Sequence, residues 1–322
     1  MPIFSCFVSY FDGHFYRDVH FALMISIIIC SRNKHLPENL LENIEDTIGV
    51  DYEIIAIDNS EQKHSIFSAY NLGVVQSKFS VLCFVHEDVF FHSKLWGEKI
   101  ISHLSSQQTG IIGLAGSGFI PQIPTNWLRN ERARNIIQSS KAENYITKHF
   151  LLPENYTFLQ KEVVALDGVF LCMRRDVFDH LRFDESLGGF HAYDLDISIQ
   201  SYMTGYKNYV VYDILVEHFS RGNFDKEYFV KTINVFKKWE NHLPLSIKSL
   251  SDKAKKPRNH NKSQIDRLTK ILVRKGFCEA QIIENITYFT TVVGTEKDIL
   301  RLRYLPLKIK WIRFSSKIRN KK

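Results

Sequence analysis

Three short apolar runs punctuate the first third of the chain, and each stops at a cluster of polar side chains. Met24-Ile25-Ser26-Ile27-Ile28-Ile29-Cys30 closes on Ser31-Arg32-Asn33, and Tyr52-Glu53-Ile54-Ile55-Ala56-Ile57 on Asp58-Asn59-Ser60. Val81-Leu82-Cys83-Phe84-Val85 closes on His86-Glu87-Asp88. The first, short and rich in β-branched residues, reads as a strand buried on both faces, as in parallel sheets, and the other two read as further strands. Between the first two, Leu36, Leu40, Leu41, Ile44 and Ile48 recur at helical spacing behind Pro37 and Glu38. A second helical stretch covers about residues 62–77. Strand, helix, strand, helix, strand opens a doubly wound α/β sheet, whose ligands bind outside the carboxyl ends of the strands. Three polar clusters in succession at those ends point to a site.

Further along, Val163–Leu166 and Val169–Met173 read as strands on either side of Asp167-Gly168. Phe190-His191-Ala192-Tyr193-Asp194-Leu195-Asp196 opens a helix that carries Leu195, Ile199 and Met203 and stops at Gly205. Two more short strands, 209–212 and 214–216, lead to Glu217-His218-Phe219-Ser220-Arg221-Gly222. Residues 251–262 are polar and basic around Pro257, the composition of a linker, and the remainder reads as helical. The expected organisation is an extension over 1–23, an α/β domain over 24–240, and a basic helical region over 241–322.

Charge sharpens that division. The net +7 of the chain suggests nucleic acid until it is located: from Asn241 onward there are 20 Lys+Arg against 6 Asp+Glu, and before it 22 against 29. An acidic body carries a basic tail. No base-reading module accompanies the tail, so no nucleic-acid partner is expected. As a helix from Pro306, the tail places Leu307, Trp311, Phe314 and Ile318 on one stripe flanked by Lys308, Lys310, Arg313, Lys317 and Arg319. That pattern suits a helix lying on an anionic membrane surface through residues 305–322; the alternative is a helix that packs the stripe on the body. No run of about 20 apolar residues predicts a spanning helix, because Pro121, Gln122, Pro124 and Asn126 break the uncharged stretch 110–128. The N-terminus lacks the pattern of a secretory signal. Cys6, Cys30, Cys83, Cys172 and Cys278 are odd in number and scattered, which argues for thiols in a reducing compartment, hence a cytoplasmic protein.

If the ligand is a nucleotide sugar, the strand ends need polar groups for base and ribose, a cation for the diphosphate, and a carboxylate to activate an acceptor hydroxyl. Mg2+ or Mn2+ takes carboxylate oxygens, and Mn2+ accepts imidazole as well. His86-Glu87-Asp88 supplies such ligands and His218 could complete them. The base must come from another segment, with Asp194 and Asp196 as candidates.

The segments "ISIIICSRN", "YEIIAIDNS", "AYNLGVVQSK", "VLCFVHEDVFF", "LDGVFLCMRRDVF", "FHAYDLDISIQ" and "VEHFSRG", in that order from about Met24 to Trp239, resemble the inverting glycosyltransferases of family two, with the GT-A fold. The resemblance implies a mixed, mainly parallel sheet flanked by helices and a metal-dependent transfer from a nucleotide sugar, UDP-linked, to a glycan or lipid-linked acceptor in cell-surface polysaccharide synthesis. It implies that Ser31, Arg32, Asn33 and Asp58 line the nucleoside pocket. It places Asn71, Gly73, Glu87, Asp167, Gly168, Ser220 and Arg221 along the donor. Asp88 and His218 become metal or diphosphate ligands and Asp194 the base, with capping left to Asp196. The family's metal motif is usually Asp-x-Asp; here His86 stands at the first position, as ligand or as a contact to phosphate or ribose, in a His-x-Asp form similar to that of a bacterial subgroup. Trp96 and Trp127 are left to packing. A sugar nucleotidyltransferase is the alternative enzyme, although Cys30-Ser31-Arg32-Asn33-Lys34 lacks that class's glycine-rich loop. A degenerate sugar-nucleotide-binding scaffold is the non-enzymatic alternative, and His86 is the feature that favours it.

Overall fold

A computed structural model describes residues 24–124, 132–140, 145–150, 159–220, 222–248, 259–294 and 296–319. Residues 1–23, Trp127, Arg221 and most of the expected linker lie outside them. The main sheet has seven strands in the order β10 (Gln160–Val163), β13 (Lys207–Val211), β5 (Thr109–Gly113), β12 (Phe170–Arg174), β3 (Val81–Val85), β1 (Ile25–Ser31) and β2 (Tyr52–Asp58). β1 runs parallel to β2 and β3, and β13 parallel to β5. β12 inserts antiparallel between β3 and β5, and β10 lies antiparallel at the edge. The parallel character read from the sequence is therefore confined to two blocks of a mixed sheet.

β1, β3 and β12 are buried runs because both of their faces are covered, whereas β2, at the sheet edge, is only half-buried. On one face Ile25, Ile27, Ile29, Cys83, Val85 and Cys172 meet α1 (Glu38–Ile48) and α3 (Trp96–His103). On the other, Ile28, Leu82, Phe84, Leu171 and Met173 meet α2 (Ile66–Gln76), the short α4 (Arg175–Phe178) and α5 (Tyr193–Met203). Alternate residues of each strand go to opposite clusters, as the period of two requires. Gly73 belongs to this packing: a Cβ there would stand 2.3 Å from Cγ2 of Ile28, so only glycine lets α2 approach β1 this closely. Trp96 is wholly buried, stacks on Phe91 at 4.3 Å and donates to Thr47 Oγ1 at 2.9 Å.

A second sheet of six strands runs β11 (Ala165–Leu166), β6 (Ala115–Ser117), β8 (Arg132–Ser140), β14 (Val216–His218) and β4 (Val89–Phe91), with β9 (Tyr145–Phe150) paired to β8. β7 (Phe119–Ile120) and β15 (Leu245–Ser246) form a small antiparallel pair. The second sheet crosses the carboxyl ends of the first, since β3 leads into β4 and β11 into β12.

Of the C-terminal helices α7 (Asn259–Arg274), α8 (Glu279–Val293), α9 (Glu296–Arg301) and α10 (Leu305–Arg319), α7, α8 and α10 share one apolar cluster with α5 and with α6 (Lys226–Lys238), and α9 connects α8 to α10. Leu268, Leu272, Ile282, Ile286, Phe289 and Ile309 are buried beside Leu195, Ile199 and Ile233. The described part of the basic region is thus docked on the body. Leu305, Ile309 and Ile312 make the inward face of α10, whereas Leu307, Trp311 and Phe314 are 65%, 66% and 64% exposed. The helix has two apolar faces, and the stripe read from the sequence is the outer one. Among the described residues no helix is long and apolar enough to cross a membrane.

Candidate active site

The site gathers where β3, β14 and the start of α5 converge. His86 follows β3; its backbone N–H donates to Val169 O at 3.2 Å, while Phe219 N–H donates to Asp88 O at 2.9 Å. These two bonds clamp the turn, and β14 pairs with β4 so that His218 lies opposite Val89. Asp88 Oδ1 is consequently 3.2 Å from Nε2 of His218 and 3.9 Å from Nδ1 of His86, and the two imidazole nitrogens are 3.5 Å apart. One ligand atom from each of the three residues falls within 4.8 Å of the others, a geometry that suits a divalent cation. Burial pushes the Asp88 carboxyl up, but the hydrogen bond and charge of His218 outweigh it and hold the group at about 2. Burial and the neighbouring His218 push His86 down to about 4, which keeps its ring neutral and able to ligate.

Tyr193 sets the direction of His86. Its hydroxyl donates to Gly168 O at 3.0 Å and meets Nε2 of His86 at 2.8 Å. With the hydroxyl proton committed to the carbonyl, Nε2 is the protonated nitrogen, and the lone pair of Nδ1 faces Asp88 and His218. A partner of this kind fixes tautomer and ring orientation. Gly168 is required here, because a Cβ would stand 2.2 Å from the Tyr193 hydroxyl.

Asp194 lies in the first turn of α5. Ala192, left-handed at φ 64°, turns the chain into the helix and carries strain of about 1–3 kcal/mol. This turn explains why the helix begins at Tyr193 rather than at Phe190. Asp194 Oδ2 accepts from Gly168 N–H at 3.1 Å and Oδ1 from Leu195 N–H at 2.8 Å. Desolvation, followed by the charge of Asp167, outweighs those bonds and raises the carboxyl to about 7. Asp167 is held in place by its N–H to Ala115 O at 2.8 Å and by Val169 N–H on its Oδ1 at 3.3 Å. His86, His218, Asp167, Gly168 and Asp194 all line one cavity of about 890 Å3, and Phe190, His191, Phe224 and Tyr228 give it an aromatic margin.

Asp196 faces elsewhere. It is buried, and its oxygens take Trp239 Nε1 at 2.8 Å, Lys238 Nζ at 2.9 Å and Gln200 Nε2 at 2.8 Å, which ties α6 to α5. Ser31, Arg32, Asn33 and Glu87 form a neighbouring shelf at the end of β1. Ser31 Oγ donates to Glu87 Oε2 at 2.5 Å, Arg32 N–H donates to Glu87 Oε1 at 3.2 Å, and Asn33 N–H donates to Ser31 Oγ at 3.0 Å. Glu87 thus turns away from the metal cluster and braces the shelf. Asp58 pairs with Ser31 across β1 and β2, and Ser60 N–H, bonded to its Oδ1 at 2.9 Å, lowers its carboxyl.

Asn71 is not brought to the cavity. It is buried, and its amide donates to Phe183 O and Glu185 Oε1, each at 2.8 Å. Gly73 lies against Ile28, as above. Ser220 follows β14, and its hydroxyl accepts from Gly222 N–H at 3.2 Å; Arg221 lies outside the described residues. The residues that sequence reasoning missed are Tyr193, hidden inside the quoted "FHAYDLD", and three arginines, Arg132, Arg134 and Arg267, that line the same cavity. Arg132 and Arg134 alternate along a strand, the one signal that could have singled them out. A smaller cavity of about 360 Å3 lies among the C-terminal helices, apart from this chemistry.

Residues 26–241 match the glycosyltransferase-like family, and the chain belongs to it. The mixed α/β architecture with its helical C-terminal region is the GT-A class that the sequence led us to expect. No curated protein sequence matches the chain. Among solved structures, it is similar to the crystal structure of GalNAc-T7 with UDP, GalNAc and Mn2+, at 14% identity and a TM-score of 0.48, covering 84% of this chain and 58% of that one. It therefore spans a little over half the length of that protein. It is also similar to the crystal structure of A197 from STIV, at 14% identity and a TM-score of 0.35, covering 61% of this chain and 85% of the other.

Proposed function

We propose that this glycosyltransferase moves a sugar from a UDP-linked donor to a hydroxyl of a glycan or lipid-linked acceptor, with inversion, in the building of a cell-surface polysaccharide. The observation that carries the reading is one cavity lined by both imidazoles of the His86–Asp88–His218 cluster and by Asp194, whose carboxyl is tuned to about 7. A base with a pKa near working pH combines adequate ionisation with adequate basicity. Asp194 takes the acceptor proton at its carboxylate while the hydroxyl attacks the anomeric carbon from the side opposite the departing diphosphate. Desolvation and then Asp167 hold the Asp194 carboxyl up, and Phe190, His191, Phe224 and Tyr228 flank the cavity. His86, Asp88 and His218 would hold Mn2+ or Mg2+, whose chemistry is to offset the charge growing on the leaving diphosphate. The shelf of Ser31, Arg32, Asn33 and Asp58 receives the nucleoside, with Glu87 bracing it.

The test is turnover of a panel of nucleotide sugars by the full chain, with Mn2+ and with chelator. UDP release from at least one UDP-sugar, abolished by chelator, is the expected result. Release that is indifferent to chelator would remove the metal from the reading, and no turnover of any member would favour the degenerate scaffold.

A second observation supports work at the cytoplasmic face of the cell membrane. The outer stripe Leu307, Trp311 and Phe314 has Arg303 and Lys310 exposed beside it, on a region rich in basic residues. Apolar side chains with an interfacial Trp and basic flanks fit an anionic bilayer. Trp311→Glu with Phe314→Glu should abolish sedimentation with phosphatidylglycerol vesicles and leave nucleotide-sugar turnover intact. Substitution is the cleaner test than truncation, which would strip Leu305, Ile309 and Ile312 from the core. Equal sedimentation of the variant would exclude this face, and loss of self-association in its place would assign the stripe to a second copy of the chain.

A further inference from the structure

The cavity continues past Asp194, and its far end is cationic. Arg132, Arg134, Ile136 and Gln138 alternate along β8 and all line it. The strand register pairs Gln138 with His218, so Gln138 marks the metal end. Arg132 stands six residues away, on the order of 20 Å along an extended strand. The middle is fixed independently: Arg134 pairs with Ala115, whose carbonyl accepts the N–H of Asp167. The Asp167–Asp194 carboxylates therefore stand between the two ends. Arg267, from α7 of the docked C-terminal region, lines the same cavity.

Arg132 and Arg267 are exposed, and among the described residues neither side chain has a hydrogen-bond or ion-pair partner. The carboxylates of this lining, Asp167 and Asp194, both belong to the catalytic region and pair with neither Arg132 nor Arg267. The donor diphosphate does not account for Arg132, because the cluster that would hold it is at the other end. What remains opposite the metal, beyond the base, is the place of the acceptor. Arginine forks recognise carboxylate and phosphate oxygens bidentately, and they do so more strongly than they recognise neutral hydroxyls.

We propose that the acceptor is anionic, carrying a carboxylate or phosphate received by the two unpartnered guanidinium groups of the cavity, Arg132 at the end remote from His86, Asp88 and His218, and Arg267 from the C-terminal region, with Arg134 beside Arg132 on β8. This rests on the glycosyltransferase reading above and adds the class of acceptor to it. It also gives the C-terminal region a part in specificity, since one of the two receiving groups comes from α7.

The experiment uses the full chain loaded with Mn2+ and UDP, so that the donor end is occupied. Three probes are titrated by NMR: methyl β-glucuronide for carboxylate, glucose 1-phosphate for phosphate, and methyl β-glucoside as the neutral control. At least one anionic probe should bind clearly more tightly than the neutral one, and the tighter of the two identifies the anion. Arg132→Gln and Arg267→Gln should each weaken that probe about tenfold, the scale of one charged hydrogen bond. Added salt should weaken it in the wild-type protein. Both variants should keep Mn2+-dependent UDP binding, which also reports that they are folded. Equal affinity for neutral and anionic probes, or anion affinity unchanged in both variants, would overturn the proposal. Absence of Mn2+-dependent UDP binding in the wild type, with anion discrimination intact, would instead defeat the donor reading.

Discussion

Asp194→Asn should lower sugar transfer on the order of 10^3-fold, within the range that positioned general bases contribute, while Mn2+-dependent UDP binding stays at the wild-type level. The single amide oxygen can keep one of the two N–H donors, Gly168 at the Oδ2 position or Leu195 at Oδ1, and the amide nitrogen gives up the other. For the reaction, what is lost is the ability to take a proton. The pH profile separates this role from a structural one. The carboxyl is raised to about 7 by desolvation and then by Asp167, and only its ionised form accepts a proton. Transfer should therefore rise with pH through about 7 and fall below it, and the residual rate of the Asn variant should lack that limb. Stability moves the other way. A carboxyl raised in the folded state favours the protonated protein, so stability falls as pH rises from the ordinary carboxylate range toward about 7. The Asn variant should be spared that decline in thermal melts across the same interval. Normal transfer by the variant would remove Asp194 as the base.

Asp88→Ala should act on binding instead. Asp88 is the only carboxylate in the three-residue cluster and is held at about 2, so it is ionised throughout the physiological range. Removing it leaves His86 and His218, two imidazoles with no negative charge to attract a cation. Outer-shell partners of metal ligands are worth roughly 10–100-fold in affinity, so a direct ligand should cost at least about a hundredfold. UDP binding should fall with it and should lose its response to Mn2+. The backbone bond from Phe219 N–H to Asp88 O does not involve the side chain, so the turn should survive the substitution.

Much of this could be read along the chain. β1 and β3 were legible because a strand buried on both faces is a bare apolar run, and β2 because Ile54–Ile57 is just as apolar although it lies half-buried at the sheet edge; the polar residues that end such runs mark the binding edge. His86, Asp88, His218 and Asp194 were legible because each stands at a strand or helix end within a segment that resembles a known family. Long-range relations were not. That β12 inserts antiparallel beside β3 depends on pairing, which no local period encodes. Asn71 and Gly73 share the quoted segments, yet one is consumed by Phe183 and Glu185 and the other by Ile28. Tyr193 looks like a core aromatic until Gly168 and His86 are placed around its hydroxyl. The tail shows why period alone underdetermines a face. α10 carries two apolar stripes, and only the docking of Leu305, Ile309 and Ile312 decides that Trp311 points outward.

The proposed cation site of His86, Asp88 and His218, which would receive a nucleoside diphosphate, is open to pulsed electron paramagnetic resonance of Mn2+ added to the protein with UDP. Couplings from two imidazole nitrogens and from diphosphate phosphorus are expected in the wild type, with the nitrogen and phosphorus couplings lost in Asp88→Ala. A Mn2+ signal that stays that of the aqueous ion in the wild-type protein with UDP would contradict that site.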